Sequence, residues 1–170
     1  MLNRLQPNLV TRRLWEVNIA ELTARGIQGV VLDLDNTLTP WRSLEVPDEA
    51  QAWLRSALAA GLRACLVSNA ATARRVQPVA DLFGIPWVTR AVKPLPRGYR
   101  RAMQVMHTTP ETTAAIGDQV FTDIFGGNRL GLYTILVDPM SEREAIVTTM
   151  IQRPLERLIG RQPADEVKNA

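Results

Sequence analysis

Five short apolar runs, each followed by a polar residue and most of them then by a longer helical pattern, constrain this chain most. Gly29-Val30-Val31-Leu32 leads straight into Asp33. Residues 62–67, broken only by Arg63, lead into Ser68-Asn69. The weaker run Pro86-Trp87-Val88 leads to Lys93, residues 113–116 lead to Gly117-Asp118, and residues 133–137 lead to Asp138. The runs are rich in β-branched and aliphatic residues and lack clean alternation, as strands buried on both faces do. Helical patterns lie between them, at residues 47–60, 72–83, 97–107 and 119–125, where Gly126-Gly127 is expected to end the helix. A further helix is expected at 141–159, limited or kinked by Pro154. Alternation of this kind predicts an α/β three-layer sandwich around a parallel sheet of about five strands. We expect one domain over 1–170: a helical lead-in at 1–25, a core at 28–138, and a C-terminal helix and tail at 141–170.

Composition removes other classes. At 170 residues the chain can bury a core without staples. The single cysteine, Cys65, excludes an intrachain disulfide framework and reads as a small core residue. No apolar run is long enough for a spanning helix, and none beside Arg4, Arg12 and Arg13 suits a secretory signal. A cytoplasmic protein is the expectation. The net charge is only +3, but residues 50–110 carry nine basic groups against the single acid Asp81. Such a field favours an anionic partner: a phosphorylated metabolite, nucleic acid or an acidic membrane. A solvated arginine-rich face is the plainer alternative.

The polar residues that follow the runs have one place to meet. In an open parallel sheet the carboxyl ends of the strands share an edge, and ligands bind there. Asp33-Leu34-Asp35-Asn36-Thr37 would set two carboxylates at the end of the first run, one able to attack and the other to move protons. Gly117-Asp118, with Asp123 five positions on, would complete an oxygen-rich pocket for a hard cation such as Mg²⁺. Ser68-Asn69 offers a hydroxyl, an amide and turn N–H groups to a phosphate. Lys93 is one of only two lysines in a chain with 18 arginines, which hints at a need for a compact point charge. Taken singly, each has a structural reading as well: a turn, a helix cap or a surface charge.

Together, in this order, the residues resemble the four motifs of the haloacid dehalogenase-like (HAD) phosphohydrolases. Asp33-Leu34-Asp35-Asn36-Thr37-Leu38, Ala91-Val92-Lys93-Pro94 and Gly117-Asp118-Gln119 are similar to the YqeG subgroup, which includes phosphatidylglycerophosphate phosphatases of mitochondria and plastids. The resemblance implies roles. Asp33 would be the nucleophile and form an aspartyl-phosphate. Asp35 would protonate the leaving alcohol and then activate water. Asp33, the backbone carbonyl of Asp35, and Asp118 would hold Mg²⁺, and Asp123 would position that set or the lysine. Ser68 and the Asn69 N–H would bind the phosphoryl group, Lys93 would balance its charge, and Thr37 would support the turn.

Asp35 and Ser68 lie 33 positions apart, and Asn69 and Lys93 lie 24 apart. These intervals hold the expected elements and leave no room for a cap domain. An open site admits large or membrane-held substrates; together with the basic middle third, the resemblance to the YqeG subgroup implies a Mg²⁺-dependent phosphatase acting on phosphatidylglycerophosphate. It would be in peripheral contact with acidic membrane at its inner face, with no nucleic acid bound. A soluble phosphoester substrate is the alternative, and a non-catalytic anion-binding module is the alternative from another class. Trp41-Arg42 suits a membrane interface, or else a buried tryptophan beside a surface arginine. Arg90, Arg97, Arg100 and Arg101 are candidates for a second phosphate or acidic lipids. His107 reads as structural or surface.

Overall fold

The computed structural model describes residues 2–141. Its sheet has six parallel strands: β1 (Leu9–Thr11), β2 (Gly29–Leu32), β3 (Arg63–Val67), β4 (Trp87–Val88), β5 (Thr113–Gly117) and β6 (Tyr133–Val137), in the order β1-β6-β5-β2-β3-β4. The helices are α1 (Ile19–Ala24), α2 (Asp48–Ala59), α3 (Ala73–Phe83), α4 (Pro96–Met106) and α5 (Phe125–Asn128). The expected helix at 141–159 lies outside the described residues.

Every residue of β2 is buried, and successive side chains enter different cores. Val30 and Leu32 pack with Leu54 and Ala57 of α2 and with Val76 and Val79 of α3. Val31 packs on the opposite face with Tyr99, Ala102 and Met106 of α4. This two-sided burial is why the strand shows no alternation in sequence. Cys65 lies in the second core, and burial pushes its thiol up to about 12.

The lead-in is not wholly helical. Residues 9–11 pair with Ile135, Leu136 and Val137 and add a sixth, edge strand. A three-residue strand whose middle residue, Val10, is 43% exposed carries too little pattern to be seen in sequence. The lead-in is fastened further by Trp53, whose Nε1–H donates to the Val17 carbonyl at 2.7 Å.

The helix after β5 also departs from expectation. It opens as a wide turn over Val120–Ile124 and runs through Gly126-Gly127 instead of ending there. A Cβ on Gly126 would lie 2.9 Å from the Tyr99 ring, and one on Gly127 would lie 2.7 Å from Thr134. These glycines therefore permit close packing; they do not stop the helix.

β2, β3 and β4 wind outward in one direction, and the chain then crosses to β5 on the other side of β2. The strand order thus reverses between β2 and β5. This is the switch point at which an open sheet leaves a crevice beyond its strand ends. Among the described residues, only loops and the sandwich helices separate these strands, so no cap domain is inserted.

Candidate active site

Asp33 follows β2 and still donates its N–H to the Ile116 carbonyl at 3.0 Å, so it is held at the edge of the ladder. The chain then turns sharply. Asn36 takes φ 64, which asparagine tolerates better than most residues. Its N–H donates to the Thr39 carbonyl at 2.7 Å, and the Leu38 and Thr39 N–H groups both donate to Leu34 O at 3.0 Å. Thr39, rather than Thr37, makes the turn's hydroxyl contact, to Leu34 O at 3.3 Å. The buried Thr37 Oγ1 has no partner among the described residues.

Lys93 arrives from the loop after β4, where Arg90 and Val92 take φ 50 and 53. Positive φ disfavours a β-branched residue, so this loop must be held from outside. Asn69 holds it. Its Oδ1 accepts the Lys93 N–H at 2.7 Å, and its Nδ2 donates to the Lys93 carbonyl at 3.3 Å. The Asn69 side chain is thus a clamp on the lysine's backbone, a use that its sequence position does not suggest. The neighbouring Ser68 is buried, and its Oγ accepts the Ala70 N–H at 3.1 Å.

The Lys93 ammonium, on a residue 7% exposed, donates to Asp33 and, at 2.7 Å, to Asp123 Oδ1. Asp123 Oδ2 accepts the Gln119 N–H at 3.2 Å. Gly117 makes this possible: a Cβ there would sit 2.3 Å from the Asp123 carboxyl carbon. Asp118 completes the group. It is 2% exposed, and neither of its carboxylate oxygens has a hydrogen-bond partner among the described residues. One carboxylate oxygen each from Asp33, Asp118 and Asp123 lies within 4.8 Å of the others.

Three carboxylates share one ammonium, and the electrostatics follow. Burial, with Asp123 and Asp35 nearby, outweighs Lys93 and raises the Asp33 carboxyl to about 7. Burial and the charges of Asp33 and Asp123 hold Asp118 well above the usual carboxylate range. Burial alone would lower Lys93, but Asp123 and Asp33 outweigh it and hold the ammonium above its ordinary value. A buried carboxylate with two orphaned oxygens is costly unless something cationic meets it. An all-oxygen set of this kind fits a hard divalent ion.

Asp35 stands apart from the acidic group. Its side chain, 19% exposed, pairs with Arg75 of α3 and accepts the Arg42 N–H at 3.0 Å. Of the four aspartates expected around the metal, three bring their carboxylates together, and Asp35, expected there through its backbone carbonyl, turns its side chain to a guanidinium. Arg75 is not among the residues expected at the site, because nothing but its place in the basic third marks it in sequence. Tyr99 is a second addition: its O–H donates to the Thr122 carbonyl at 2.8 Å and ties α4 to the turn that carries Asp123. Trp41 and Arg42 are both exposed, with the guanidinium 5.6 Å from the indole centroid. His107, also exposed, is the left-handed residue that ends α4, and its carbonyl accepts from Arg63 at 2.9 Å. Among the described residues no helix is long and apolar enough to cross a membrane.

Comparison with known proteins agrees with this geometry. A family described as "HAD-hyrolase-like" matches residues 91–154. The chain is 33% identical over 153 residues to the Bacillus subtilis protein named "Probable phosphatase YqeG", covering 90% of this chain and 88% of that one. It is also 33% identical over 144 residues to a chloroplastic phosphatidylglycerophosphate phosphatase 1 of Chlamydomonas reinhardtii. That match covers 79% of this chain but spans only about half, 53%, of the relative's length. Among solved structures, an uncharacterized protein from Listeria monocytogenes serotype 4b superposes with a TM-score of 0.57 at 19% identity, covering 69% of this chain and 84% of that chain, a likeness of fold. The chain belongs to the haloacid dehalogenase-like phosphatases, in the family of YqeG.

Proposed function

We propose that this phosphatase is Mg²⁺-dependent, works through an aspartyl-phosphate on Asp33, and hydrolyses phosphatidylglycerophosphate to phosphatidylglycerol. The observation that carries the reading is the buried group at the switch point. Asp33, Asp118 and Asp123 face one another, Asp118 has two orphaned oxygens, and Lys93 is fixed beside the carboxylate that would attack. Asp33, Asp118 and Asp123, with the Asp35 backbone carbonyl, would hold the metal. Bound there, it would neutralise phosphoryl oxygens and orient them for in-line attack.

A carboxylate oxygen of Asp33 attacks phosphorus, the bond from phosphorus to the leaving oxygen breaks, and Asp35 delivers a proton to that oxygen. Asp35 then takes a proton from water as the water attacks phosphorus, and the bond to Asp33 breaks. Lys93 opposes the burial that raises the Asp33 carboxyl, so it favours the ionised nucleophile, and it balances the charge on the phosphoryl oxygens. Ser68 and the Asn69 N–H bind those oxygens, while the Asn69 side chain keeps Lys93 in place. Positioning and charge neutralisation carry most of phosphoryl transfer.

The lipid substrate is supported by the relative named phosphatidylglycerophosphate phosphatase, by the open site and by the loops around it. Exposed Trp41, Leu44, Val92, Leu95 and Phe121 all lie on segments that follow β2, β4 and β5, on the edge that bears the site. Arg42, Arg90 and Arg97 lie among them. Apolar side chains beside arginines suit a surface of anionic lipid. The test is phosphate release, with and without Mg²⁺, from phosphatidylglycerophosphate vesicles against a panel of nucleotide, sugar and protein phosphoesters. The expected result is Mg²⁺-dependent release with the lipid preferred. A higher kcat/KM for a soluble ester would replace the lipid with that ester class.

A further inference from the structure

Arg75 has no part in the chemistry above beyond touching Asp35. Its guanidinium carries five N–H donors in a rigid plane. Nη2 binds Asp35 Oδ1. Nη1 and Nε have no partner among the described residues, and the side chain is 28% exposed. The guanidinium therefore uses one of its five donors on Asp35, with Nη1 and Nε within reach of solvent.

Its place makes this informative. If Asp35 gives its proton to the leaving oxygen, as proposed above, then Arg75 lies on the leaving-group side. Other cations gather there. Arg42 starts from the same turn, its backbone N–H donating to the same Asp35 oxygen at 3.0 Å while its guanidinium lies over Trp41. Arg90 is pinned to the loop that leads into α3, its Nε–H donating to the Ala71 carbonyl at 2.9 Å and its backbone N–H to Ala70 O at 3.0 Å. Residues 69–80 carry Arg74 and Arg75 and no acid. By contrast, Arg97, Arg100 and Arg101 are exposed on α4 and bond to no site residue among the described residues.

We propose that Arg75 positions Asp35 with one edge of its guanidinium and binds, with the other, a second anion carried by the leaving alcohol. The preferred substrates are then phosphomonoesters whose leaving group is itself a phosphodiester-type anion, whether lipid-borne or free. The inference rests on the reading of Asp35 as the group that serves the leaving oxygen.

Three substrates test it: glycerol 3-phosphate, the deacylated glycerophosphoglycerol phosphate, and phosphatidylglycerophosphate in vesicles, each with the full chain and Mg²⁺. The wild type should prefer both doubly phosphorylated substrates to glycerol 3-phosphate. Arg75→Met should lower kcat/KM on those two by about tenfold to a hundredfold more than on glycerol 3-phosphate, the worth of a charged hydrogen-bonded contact. Arg75→Lys should restore part of the preference by supplying a point charge. If Arg75→Met does not fold, the Lys variant carries the test through the same ratio. Equal losses on all three substrates would mean that Arg75 only positions Asp35, and would overturn the second contact. A wild-type preference confined to vesicles would assign the selectivity to the surface and overturn it too. If the wild type hydrolyses none of the three but Asp33-dependent release from 4-nitrophenyl phosphate persists, the phosphatase site stands and this inference falls. If that release is also absent, both fall.

Discussion

Asp33 and Asp35 lie two residues apart on one turn, and each meets a cation, yet the two pairs sit in different media. The Lys93–Asp33–Asp123 group is almost wholly enclosed, and Asp118 adds a third carboxylate with no partner of its own among the described residues. The Arg75–Asp35 pair is partly exposed, 28% for the arginine side chain and 19% for the aspartate. Coulomb attraction is screened in the second and strong in the first, where desolvation is also severe. The comparison assigns different work to each. The buried group stores an electrostatic imbalance that suits a cation and a phosphoryl group. The partly exposed pair is reachable from solvent and free to exchange partners.

The largest effects should come from the enclosed side. Asp33→Asn should cost several powers of ten in turnover, because the amide cannot form the acyl-phosphate. Lys93→Met should be as severe for turnover and should also cost about 3–5 kcal/mol of stability, since it leaves buried carboxylates without their cation. Urea unfolding at pH 7.5 checks this, and a loss under about 1 kcal/mol would show that the cluster is more hydrated than its burial implies.

Next is the pH dependence of the metal-free protein. The Asp33 carboxyl rises from 3.8 to about 7 on folding, so the folded state holds this proton more tightly than the unfolded state. Its contribution to stability is then fully present below the unfolded value and is lost as pH climbs through the folded one. Asp118 is shifted in the same direction. Melting temperature without metal should therefore fall between about pH 4 and pH 7, and the fall should shrink in Asp33→Asn. Adding Mg²⁺ at pH 8 should restore it, because binding to the native state alone stabilises by mass action. A flat or rising profile without metal would contradict the assigned burial.

Asp118→Asn sharpens the same contrast. It removes charge from a crowded group, so the metal-free protein should gain stability at pH 8 while half-saturation by Mg²⁺ moves to higher concentration. Unchanged half-saturation would remove Asp118 from the metal site. The smallest effect belongs to the open pair: Arg75→Met should change unfolding free energy by less than about 1 kcal/mol.

Much of the fold and of the site is legible in the amino-acid order. Each strand that bears the site is an apolar run with a polar residue after it, and the rule for parallel sheets brings those residues to one edge. Asp33, Asp118, Asp123 and Lys93 meet as that rule implies. What stays hidden depends on tertiary contact. β1 is too short to carry a pattern and owes its strand to pairing with β6. Gly126-Gly127 resemble a helix stop, and only the Tyr99 ring and Thr134 pressed against them reveal their packing role. Arg75 is one arginine among many, and only the approach of α3 to the turn after β2 distinguishes it. The Asn69 side chain, expected near a phosphate, is spent on the Lys93 backbone because the strained loop after β4 needs an anchor.

The central claim is that the enclosed carboxylate Asp33 carries the phosphoryl group. The most direct measurement is acid quenching of the enzyme during turnover with Mg²⁺ and an activated phosphoester, followed by peptide mass spectrometry. The account predicts a phosphate increment on the peptide holding residues 29–39, labile to hydroxylamine, absent in Asp33→Asn and accumulating in Asp35→Asn, which forms the intermediate but is slow to hydrolyse it. Turnover at the wild-type rate in Asp33→Asn, or a phosphate trapped on another residue, would contradict it.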